Sequence, residues 1–240
     1  MKTNTFGDRV TKYLVTLEYP GSLPEGIRIL NPYQESKEVG RIVDEFYKKY
    51  YSDLNIRQLI LGINPGRFGA GHTGIPFTDP KHLEKNCDIK FYGQHTHETS
   101  SVFIYDKIRA YGSIESFYSK FYIGAVCPLG FVATDKGREV NFNYYDTSEL
   151  QSMVMDFILQ NIKKQIELGI DTRVCYCLGT GKNYQFLLKI NNKFQFFASV
   201  IPLAHPRYIM QYKSKMKNTY IDRYLQVFKE NEYKDGLKSE

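Results

Sequence analysis

Two short segments place polar side chains where catalysis could occur. The first reads GINPG at 62–66, and Asn64 carries its one polar side chain. The second reads AHPR at 204–207 and contains His205. An asparagine amide can hold a water molecule without adding charge, although it is not a strong base. A histidine can be neutral or charged near physiological pH, so it can assist a departing anion. Asn64 and His205 are therefore candidate catalytic residues.

The loop after Asn64 favours close contact with a ligand. Its glycines let the backbone approach a bound group, and Pro65 stiffens the turn. Phe77 is the large aromatic residue at the end of this loop and could stack on a flat ligand. Each residue also has a simpler interpretation. Asn64 could cap its own turn, His205 could be a hydrogen-bonded structural histidine, and Phe77 could belong to the core.

Apolar runs alternate with amphipathic segments, which is typical of an α/β domain with a mostly parallel sheet. The apolar runs predict strands at 57–63, 120–127, 173–178 and 195–203. Helical spacing predicts helices at 36–51, 98–112, 147–168, 183–190 and 213–230. Thr147 or Ser148 is expected to cap the third helix, and Asn183 the fourth. The polar segment 80–97 is predicted to be a loop. Without repeats or an evident linker, we expect a single domain over 1–240.

Ligands of open α/β sheets bind outside the carboxyl ends of the strands. GINPG at 62–66 ends the first predicted strand, and AHPR at 204–207 follows the last. CPLG at 127–130 ends the second. The first two turns are therefore expected to reach one crevice, with the third beside them.

The composition excludes several classes of protein. The chain has 240 residues, of which 42% are hydrophobic and 24% charged, so it can bury a full core. No apolar run approaches a membrane span, and the N-terminus lacks the apolar core of a signal peptide. We therefore expect a cytoplasmic protein with no membrane association. The net charge of +6 and the isoelectric point of about 8.9 favour a polyanionic partner.

Neither a metal site nor a nucleotide triphosphate site is predicted. The four cysteines include no CxxC pair, and Cys175 and Cys177 alternate along a predicted strand, which favours core packing. The segment LGTGKN at 178–183 approaches a phosphate-binding loop. However, Tyr176 and Asn183 stand where that motif requires Gly and then Ser or Thr.

Taken together, these segments resemble the uracil-DNA glycosylase superfamily, and most of all its single-strand-selective monofunctional (SMUG-type) branch with the bacterial relatives. The first family motif is Gly, a small apolar residue and Asn-Pro-Gly, then a glycine-rich loop and T-G-[Ile/Val]-P-F. It is matched here by GINPG at 62–66 and TGIPF at 73–77. HPR at 205–207 resembles the second motif, and CPL at 127–129 resembles a family strand end. The resemblance covers about 55–225.

The resemblance implies a three-layer α/β/α domain, with a central mostly parallel four-stranded sheet, that hydrolyses an N-glycosidic bond in DNA. The base must first be flipped out of the stack. Asn64 would position the attacking water and steady the positive charge on an oxocarbenium-like sugar. His205 would donate a hydrogen bond to the departing base, on which Phe77 would stack. The backbone N–H of Ile63 would bind a base carbonyl.

No metal or organic cofactor is implied by the resemblance. The enzyme would also be monofunctional, because the family pattern has no lysine nucleophile that cuts the strand. It would leave an abasic site for base excision repair. The expected partner is DNA, single- or double-stranded, and the expected state is a monomer. The residues predicted to contact DNA or to fill the gap left by the base are Gly66, Arg67, Arg207, Tyr208 and Lys213.

One position departs from the SMUG-type pattern. An Asn that reads the uracil edge stands two residues before the Cys of CPL in that pattern, and here the position is Ala125. Either Asn141 or Asn143 replaces the missing carboxamide, or the pocket reads the base less strictly. We therefore expect a range of deaminated bases that includes uracil and extends to hypoxanthine or xanthine. A non-catalytic nucleic-acid-binding member of the fold and a hydrolase of free nucleosides or nucleotides remain open as alternatives.

Overall fold

Helices and strands alternate along the chain. The structure is a computed structural model that describes residues 4–232. The strands are β1 (Ile27–Leu30), β2 (Arg57–Gly62), β3 (Phe121–Ala125), β4 (Gly130–Asp135), β5 (Arg138–Phe142), β6 (Ile170–Leu178) and β7 (Ser199–Leu203). The α-helices are α1 (Phe6–Val15), α2 (Pro32–Glu35), α3 (Lys37–Tyr50), α4 (Ala70–Thr73), α5 (Pro80–Cys87), α6 (Thr99–Tyr111), α7 (Ile114–Lys120), α8 (Ser148–Met153), α9 (Met155–Glu167), α10 (Lys182–Phe194), α11 (Pro206–Tyr212) and α12 (Lys217–Glu230). A short 3₁₀ helix covers Ser214–Met216.

The central sheet has four strands in the order β3-β2-β6-β7, and every neighbouring pair is parallel. Strand β2 lies inside the sheet and all its residues are buried. Successive side chains of a strand point to opposite faces, so both faces of the sheet must be covered. Helix α7 packs on β2 and β3, and helices α9 and α10 pack on β6. The predicted α/β fold with a four-stranded parallel sheet is confirmed.

The predicted strands are all present, with shifted bounds, and the shift is largest at the starts of two of them. Strand β6 begins earlier than predicted, at Ile170. Strand β7 begins later, at Ser199, because α10 continues through Phe194. Gln195 then ends that helix in the left-handed conformation, with φ of 53°. The residues 195–198 therefore connect helix and strand and do not join the sheet.

The prediction of a loop over 80–97 was wrong for its first part, which forms α5. The helix is capped by Asp79, whose side chain accepts a hydrogen bond from the backbone N–H of His82 at 3.0 Å. A proline at the first helical position suits this start. Leu83 and Cys87 then bury one face of the helix. Because apolar residues are few in this segment, their spacing was too weak a signal to predict a helix.

Two further helix predictions need correction. The helix predicted over 147–168 is interrupted at Val154, although Thr147 caps its start as predicted. The helix predicted over 213–230 begins only at Lys217, since a separate helix, α11, starts directly after His205.

Asn183 does not cap α10, which begins one residue before it. Its side chain is buried, and Nδ2 donates to the carbonyl oxygen of Leu178 at 3.0 Å. Its Oδ1 accepts from the hydroxyl of Tyr144 at 2.8 Å. The asparagine therefore ties the end of β6 to the segment after β5, which was not predicted.

A second sheet is antiparallel, with the order β1-β4-β5, and was also not predicted. Strands β4 and β5 form a hairpin whose turn contains Lys136 and Gly137, with φ of 48° and 75°. Positive φ at both turn residues matches the twist of a two-residue hairpin. The side chains of β5 are largely exposed, so no apolar run indicated the strand. The hairpin is important because the residues after β5 reach the candidate site.

A buried lysine on α6 lies outside that site. Lys107 is 1% exposed, and its Nζ lies 3.8 Å from the centroid of the Phe117 ring and 5.4 Å from that of Phe228. Within residues 4–232 it makes no ion pair, and burial lowers its pKa well below the ordinary value. The unfolded chain therefore binds this proton more readily than the folded chain. The free energy of unfolding should consequently rise as the pH approaches the ordinary lysine pKa.

We expect Lys107→Met to raise the free energy of unfolding at pH 7 by about 1 kcal/mol or more, since an unpaired buried amine is replaced by an apolar chain. The gain should shrink as the pH rises from 7 to 10, because fewer unfolded chains then hold the proton that the folded chain has lost. Denaturant unfolding at the two pH values measures both effects. Lys189→Met, on the exposed face of α10, is the matched control. A less stable Lys107→Met protein at pH 7 would contradict this account.

Candidate active site

A cavity of about 340 Å³ opens at the carboxyl ends of the central strands. Asn64 and Phe77 line it from the segment after β2, and His205 lines it from the segment after β7. The two motif segments thus meet in one crevice, as the strand-end rule predicts. A larger groove of about 1120 Å³ lies at the opposite end of the sheet, around Gln58 and Ile170. None of the predicted site residues line that groove.

Asn64 is held by the chain that follows the hairpin. Its Oδ1 accepts a hydrogen bond from the backbone N–H of Tyr144 at 3.2 Å, and its Nδ2 donates to the carbonyl oxygen of Phe142 at 3.2 Å. A local contact from Nδ2 to the Pro65 carbonyl is longer, at 3.4 Å. The two shorter hydrogen bonds therefore connect Asn64 to a distant part of the chain, and they fix the orientation of its side-chain amide. The Oδ1 atom keeps a second acceptor position for another donor.

His205 follows the end of β7 and caps α11. Its Nδ1 accepts a hydrogen bond from the backbone N–H of Arg207 at 3.1 Å. A neutral ring that accepts at Nδ1 must carry its proton on Nε2. Burial lowers the pKa of His205 to about 4, and the charge of Arg207 acts in the same direction. The imidazole is therefore neutral at pH 7 and offers an uncharged N–H donor.

Phe77 packs across the cavity from His205. The two ring centroids are 5.9 Å apart, with an angle of 59° between the planes. The ring also lies beside Gly62, where a Cβ would lie 3.4 Å from the Phe77 ring carbons. Phe77 has φ of 52°, which is unfavourable for a bulky residue and persists only where the surroundings hold it. The strained loop thus presents the half-buried ring to the cavity.

The end of β3 forms a wall of the cavity without a carboxamide. Ala125 lines it, and the Ala125 carbonyl oxygen accepts a hydrogen bond from Nε2 of the buried Gln165 at 3.1 Å. A Cβ on the preceding Gly124 would overlap Oε1 of Gln165. The carbonyl oxygen of Ile63 accepts from the backbone N–H of Cys127 at 3.0 Å, which joins this wall to the turn after β2.

Asn141 and Asn143 both line the cavity. Oδ1 of Asn141 accepts from the backbone N–H of Arg67 at 2.9 Å. Nδ2 of Asn143 donates to the carboxylate of Asp146 at 3.1 and 3.3 Å. Within residues 4–232, the other amide atoms, Nδ2 of Asn141 and Oδ1 of Asn143, have no hydrogen-bond partner. A donor and an acceptor thus remain for a bound ligand.

The residues predicted to contact DNA divide into two groups. Gly66, Arg207 and Tyr208 line the cavity, whereas Arg67 and Lys213 do not. The guanidinium of Arg67 lies 4.2 Å from the ring centroid of its neighbour Phe68. Lys213 is exposed at the end of α11.

Sequence reasoning missed several residues that line the cavity, among them Tyr212 and Glu98. Tyr212 is 72% exposed, and its ring centroid lies 5.7 Å from that of Tyr208 on the same helix, so the two form an aromatic rim. Glu98 is the one carboxylic acid among the described lining residues. It had no distinguishing signal, because it follows a polar stretch predicted to be a loop. Tyr212 lies between the strand predicted at 195–203 and the helix predicted at 213–230, so it was assigned to neither.

No group of His, Cys, Asp and Glu side chains within residues 4–232 is arranged to hold a metal ion. The four cysteines are buried and free of disulfides. No helix in this same range is long and apolar enough to cross a membrane.

Comparison with known proteins decides the family. The model of the uracil DNA glycosylase superfamily matches residues 48–229. The chain belongs to this superfamily. The crystal structure of wild-type SMUG2 from Pedobacter heparinus is 53% identical in sequence and superposes with a TM-score of 0.93. The match covers 94% of this chain and 97% of that one.

The resemblance to SMUG-type enzymes is therefore confirmed. A search of curated proteins found no match. Family and structure together identify a monofunctional uracil DNA glycosylase, a hydrolase of base excision repair whose substrate is DNA. This result favours the glycosylase over the non-catalytic protein and over the nucleoside hydrolase.

Proposed function

We propose that this glycosylase flips a deaminated base into the cavity between Phe77 and His205 and hydrolyses its glycosidic bond with Asn64 and His205. One observation carries the proposal. Both polar side chains line the same cavity, and each is oriented by hydrogen bonds from or to the backbone. Such preorganised dipoles stabilise charge that develops in the transition state.

Asn64 is proposed to hold the attacking water. The free acceptor position on Oδ1 can bind one hydrogen of that water, while the bond from Tyr144 keeps the amide from rotating. The uncharged amide positions the water beside the sugar carbon without acting as its base. Once the new C–O bond has formed, the water loses a proton to solvent, and the departed base anion takes up a proton from solvent. The electron-rich Oδ1 also favours positive charge on the sugar as the bond to the base breaks.

His205 is proposed to stabilise the departing base. As the glycosidic bond breaks, its electron pair moves to the base and negative charge grows on a base oxygen. A neutral Nε2–H can donate a hydrogen bond to that oxygen without transferring its proton. The hydrogen bond from Arg207 to Nδ1 supports this tautomer.

Several residues of the cavity are proposed to recognise the flipped base. Phe77 is proposed to stack on the flipped base, and the backbone N–H of Ile63 to bind a base carbonyl. Ala125 offers no edge-specific hydrogen bond, whereas Asn141 and Asn143 each retain one amide atom for the base. We propose that the range includes uracil and extends to hypoxanthine or xanthine.

The range can be tested with labelled oligonucleotides that carry uracil, hypoxanthine or xanthine, each single- and double-stranded. Alkali after incubation cuts the strand at abasic sites. We expect alkali-dependent cuts on uracil and on at least one of the two purines. A steep preference for uracil over both purines in matched substrates would overturn the broader range. Cuts that appear without alkali would overturn the monofunctional mechanism.

The rim of the cavity is proposed to hold the DNA strand. Arg207 would contact a phosphate, and the backbone at Gly66 would approach the strand closely. Arg67 and Lys213 are proposed as more distant contacts, since both lie outside the cavity lining. We also propose that the enzyme acts as a monomer and that it works in the cytoplasm.

Tyr212 is expected to stack on a base next to the flipped one. Replacement by alanine should weaken binding of a single-stranded uracil oligonucleotide about tenfold, since stacking on an aromatic side chain contributes about 1–3 kcal/mol per base. Fluorescence anisotropy measures the change. Tyr92→Ala is the matched control, because Tyr92 is 71% exposed but lies outside the cavity. Equal losses in the two variants would contradict a stacking role for Tyr212.

A further inference from the structure

Glu98 is a carboxylic acid at a place where a DNA-binding protein would be expected to avoid one. It lines the cavity together with Arg207, and the chain as a whole carries a net charge of +6. An ionised carboxylate there would repel the phosphates of a bound strand. The proposed mechanism does not use Glu98, so its presence in the cavity requires a separate explanation.

The position of Glu98 is held on several sides. Its backbone N–H donates to Oδ2 of the buried Asp79 at 2.9 Å, and its Oε2 accepts from the hydroxyl of Ser101 at 3.1 Å. The carboxyl group packs against Gly69 of the glycine-rich loop, where a Cβ would overlap Oε2. Within the described residues, Oε1 has no hydrogen-bond partner. The carboxyl group is thus fixed, with one oxygen left for exchange of a proton.

The surroundings of Glu98 bring the pKa of its carboxyl group close to neutral pH. Burial raises its pKa to about 7, and the charge of Asp79 acts in the same direction. The hydrogen bond from Ser101 and the charge of Arg207 oppose this shift. His82 and His97 both pair with Asp79, which holds the backbone of Glu98, at 2.7 and 3.2 Å.

Asp79 itself remains charged throughout the neutral range. Burial alone would raise its pKa, but hydrogen bonds from the His82 side chain and from the backbone of Glu98 and His82 outweigh burial and lower it to about 2. His205, on the other side of the cavity, has a pKa of about 4 and does not titrate near pH 7. Among the shifted groups of the cavity, Glu98 is therefore the one that changes charge at neutral pH.

We propose that Glu98 is an anion-responsive residue of the cavity, which takes up a proton from solvent when a DNA phosphate binds beside Arg207. The inference rests on the proposed function, because it requires a strand at the cavity rim. The incoming phosphate disfavours a second negative charge and offsets the positive charge of Arg207 that favours the carboxylate, so Glu98 becomes the neutral acid. The proton adds to a carboxylate oxygen and no other bond changes. Binding of DNA then weakens as the pH rises.

The test uses an oligonucleotide that carries 2′-fluoro-2′-deoxyuridine, whose glycosidic bond resists hydrolysis. Its Kd is measured by anisotropy between pH 6 and pH 8 at constant ionic strength. For the wild type we expect the Kd to rise about tenfold across this range, as linkage to one proton requires. Glu98→Gln should keep one Kd throughout, equal to that of the wild type at pH 6 and about tenfold lower than that of the wild type at pH 8.

Glu167→Gln removes the same charge from the exposed end of α9 and should behave as the wild type. Calorimetry of the wild type at pH 7.5, in two buffers of different ionisation enthalpy, provides a readout that needs no variant. A buffer-dependent heat that corresponds to proton uptake supports the proposal, and a buffer-independent heat overturns it.

The remaining outcomes distinguish failure of this inference from failure of the proposed function. If Glu98→Gln keeps the pH dependence of the wild type, or weakens binding equally at every pH, then Glu98 is not the responsive group. In that case the proposed function still stands. If the wild type does not bind the oligonucleotide even at pH 6, both the proposed function and this inference fail.

Discussion

Asn64→Ala is expected to reduce the single-turnover rate of uracil excision by about 10²- to 10³-fold, the usual cost of removing one preorganised dipole from an active site. The substitution removes the atom that holds the attacking water. It also removes the half-buried hydrogen bonds to the backbone of Phe142 and Tyr144. Binding of the uncleavable oligonucleotide should therefore change much less than the rate.

Asn192→Ala provides the control, because Asn192 lies on the exposed face of α10. It should excise uracil at the rate of the wild type. Melting temperatures of both variants show whether the fold is kept. A folded Asn64→Ala protein that retains the wild-type rate would contradict a role for Asn64 in the reaction.

The second large effect is expected at His205. Two substitutions separate its chemical role from its structural one. His205→Ala removes both ring nitrogens, whereas His205→Asn keeps a side-chain oxygen that can accept the Arg207 N–H, as asparagine does at helix N-caps. Neither variant has the Nε2–H donor. We expect both to lose about 10²-fold or more in the single-turnover rate. Full activity in His205→Asn would show that His205 acts only as a cap.

The pH dependence of the wild type provides an independent readout of His205. Because its folded pKa is about 4, the neutral donor persists well below the ordinary histidine pKa. The rate at saturating enzyme should therefore show no inflection near pH 6.5 and should fall only towards pH 4. Protonation at Nδ1 would remove the acceptor of the Arg207 N–H.

The same lowered pKa affects stability. The unfolded chain takes up this proton from about pH 6.5 downwards, so the free energy of unfolding falls as the pH drops through the window between about 6.5 and 4.

The pH–rate profile can also contradict the lowered pKa. An inflection of the rate near pH 6.5 that is absent in His205→Asn would show that the imidazole titrates normally.

The sequence was sufficient to predict the residues that meet in the cavity. Asn64 and His205 directly follow parallel strands, and the carboxyl ends of such strands lie at one edge of the sheet. Phe77 follows the first motif closely enough to be predicted with it. The four strands of this sheet were also evident, because buried strands carry continuous apolar runs.

The parts that support the site were harder to predict. The exposed strand β5 has no apolar run, yet Tyr144 beyond it orients Asn64 from a position far along the chain. Glu98 enters the cavity because buried Asp79 holds its backbone, which is again a contact between separate segments. Such pairings depend on the tertiary fold, and single-sequence periodicity carries no information about them.

The measurement that tests the central claim most directly is a crystal structure of Asn64→Ala with a short uracil-containing oligonucleotide. The account predicts an extrahelical uracil in the cavity, stacked on Phe77, with a base oxygen within hydrogen-bond distance of Nε2 of His205. It also predicts a phosphate beside Arg207. A uracil that remains stacked in its strand, or that binds in the groove around Gln58 and Ile170, would contradict the account.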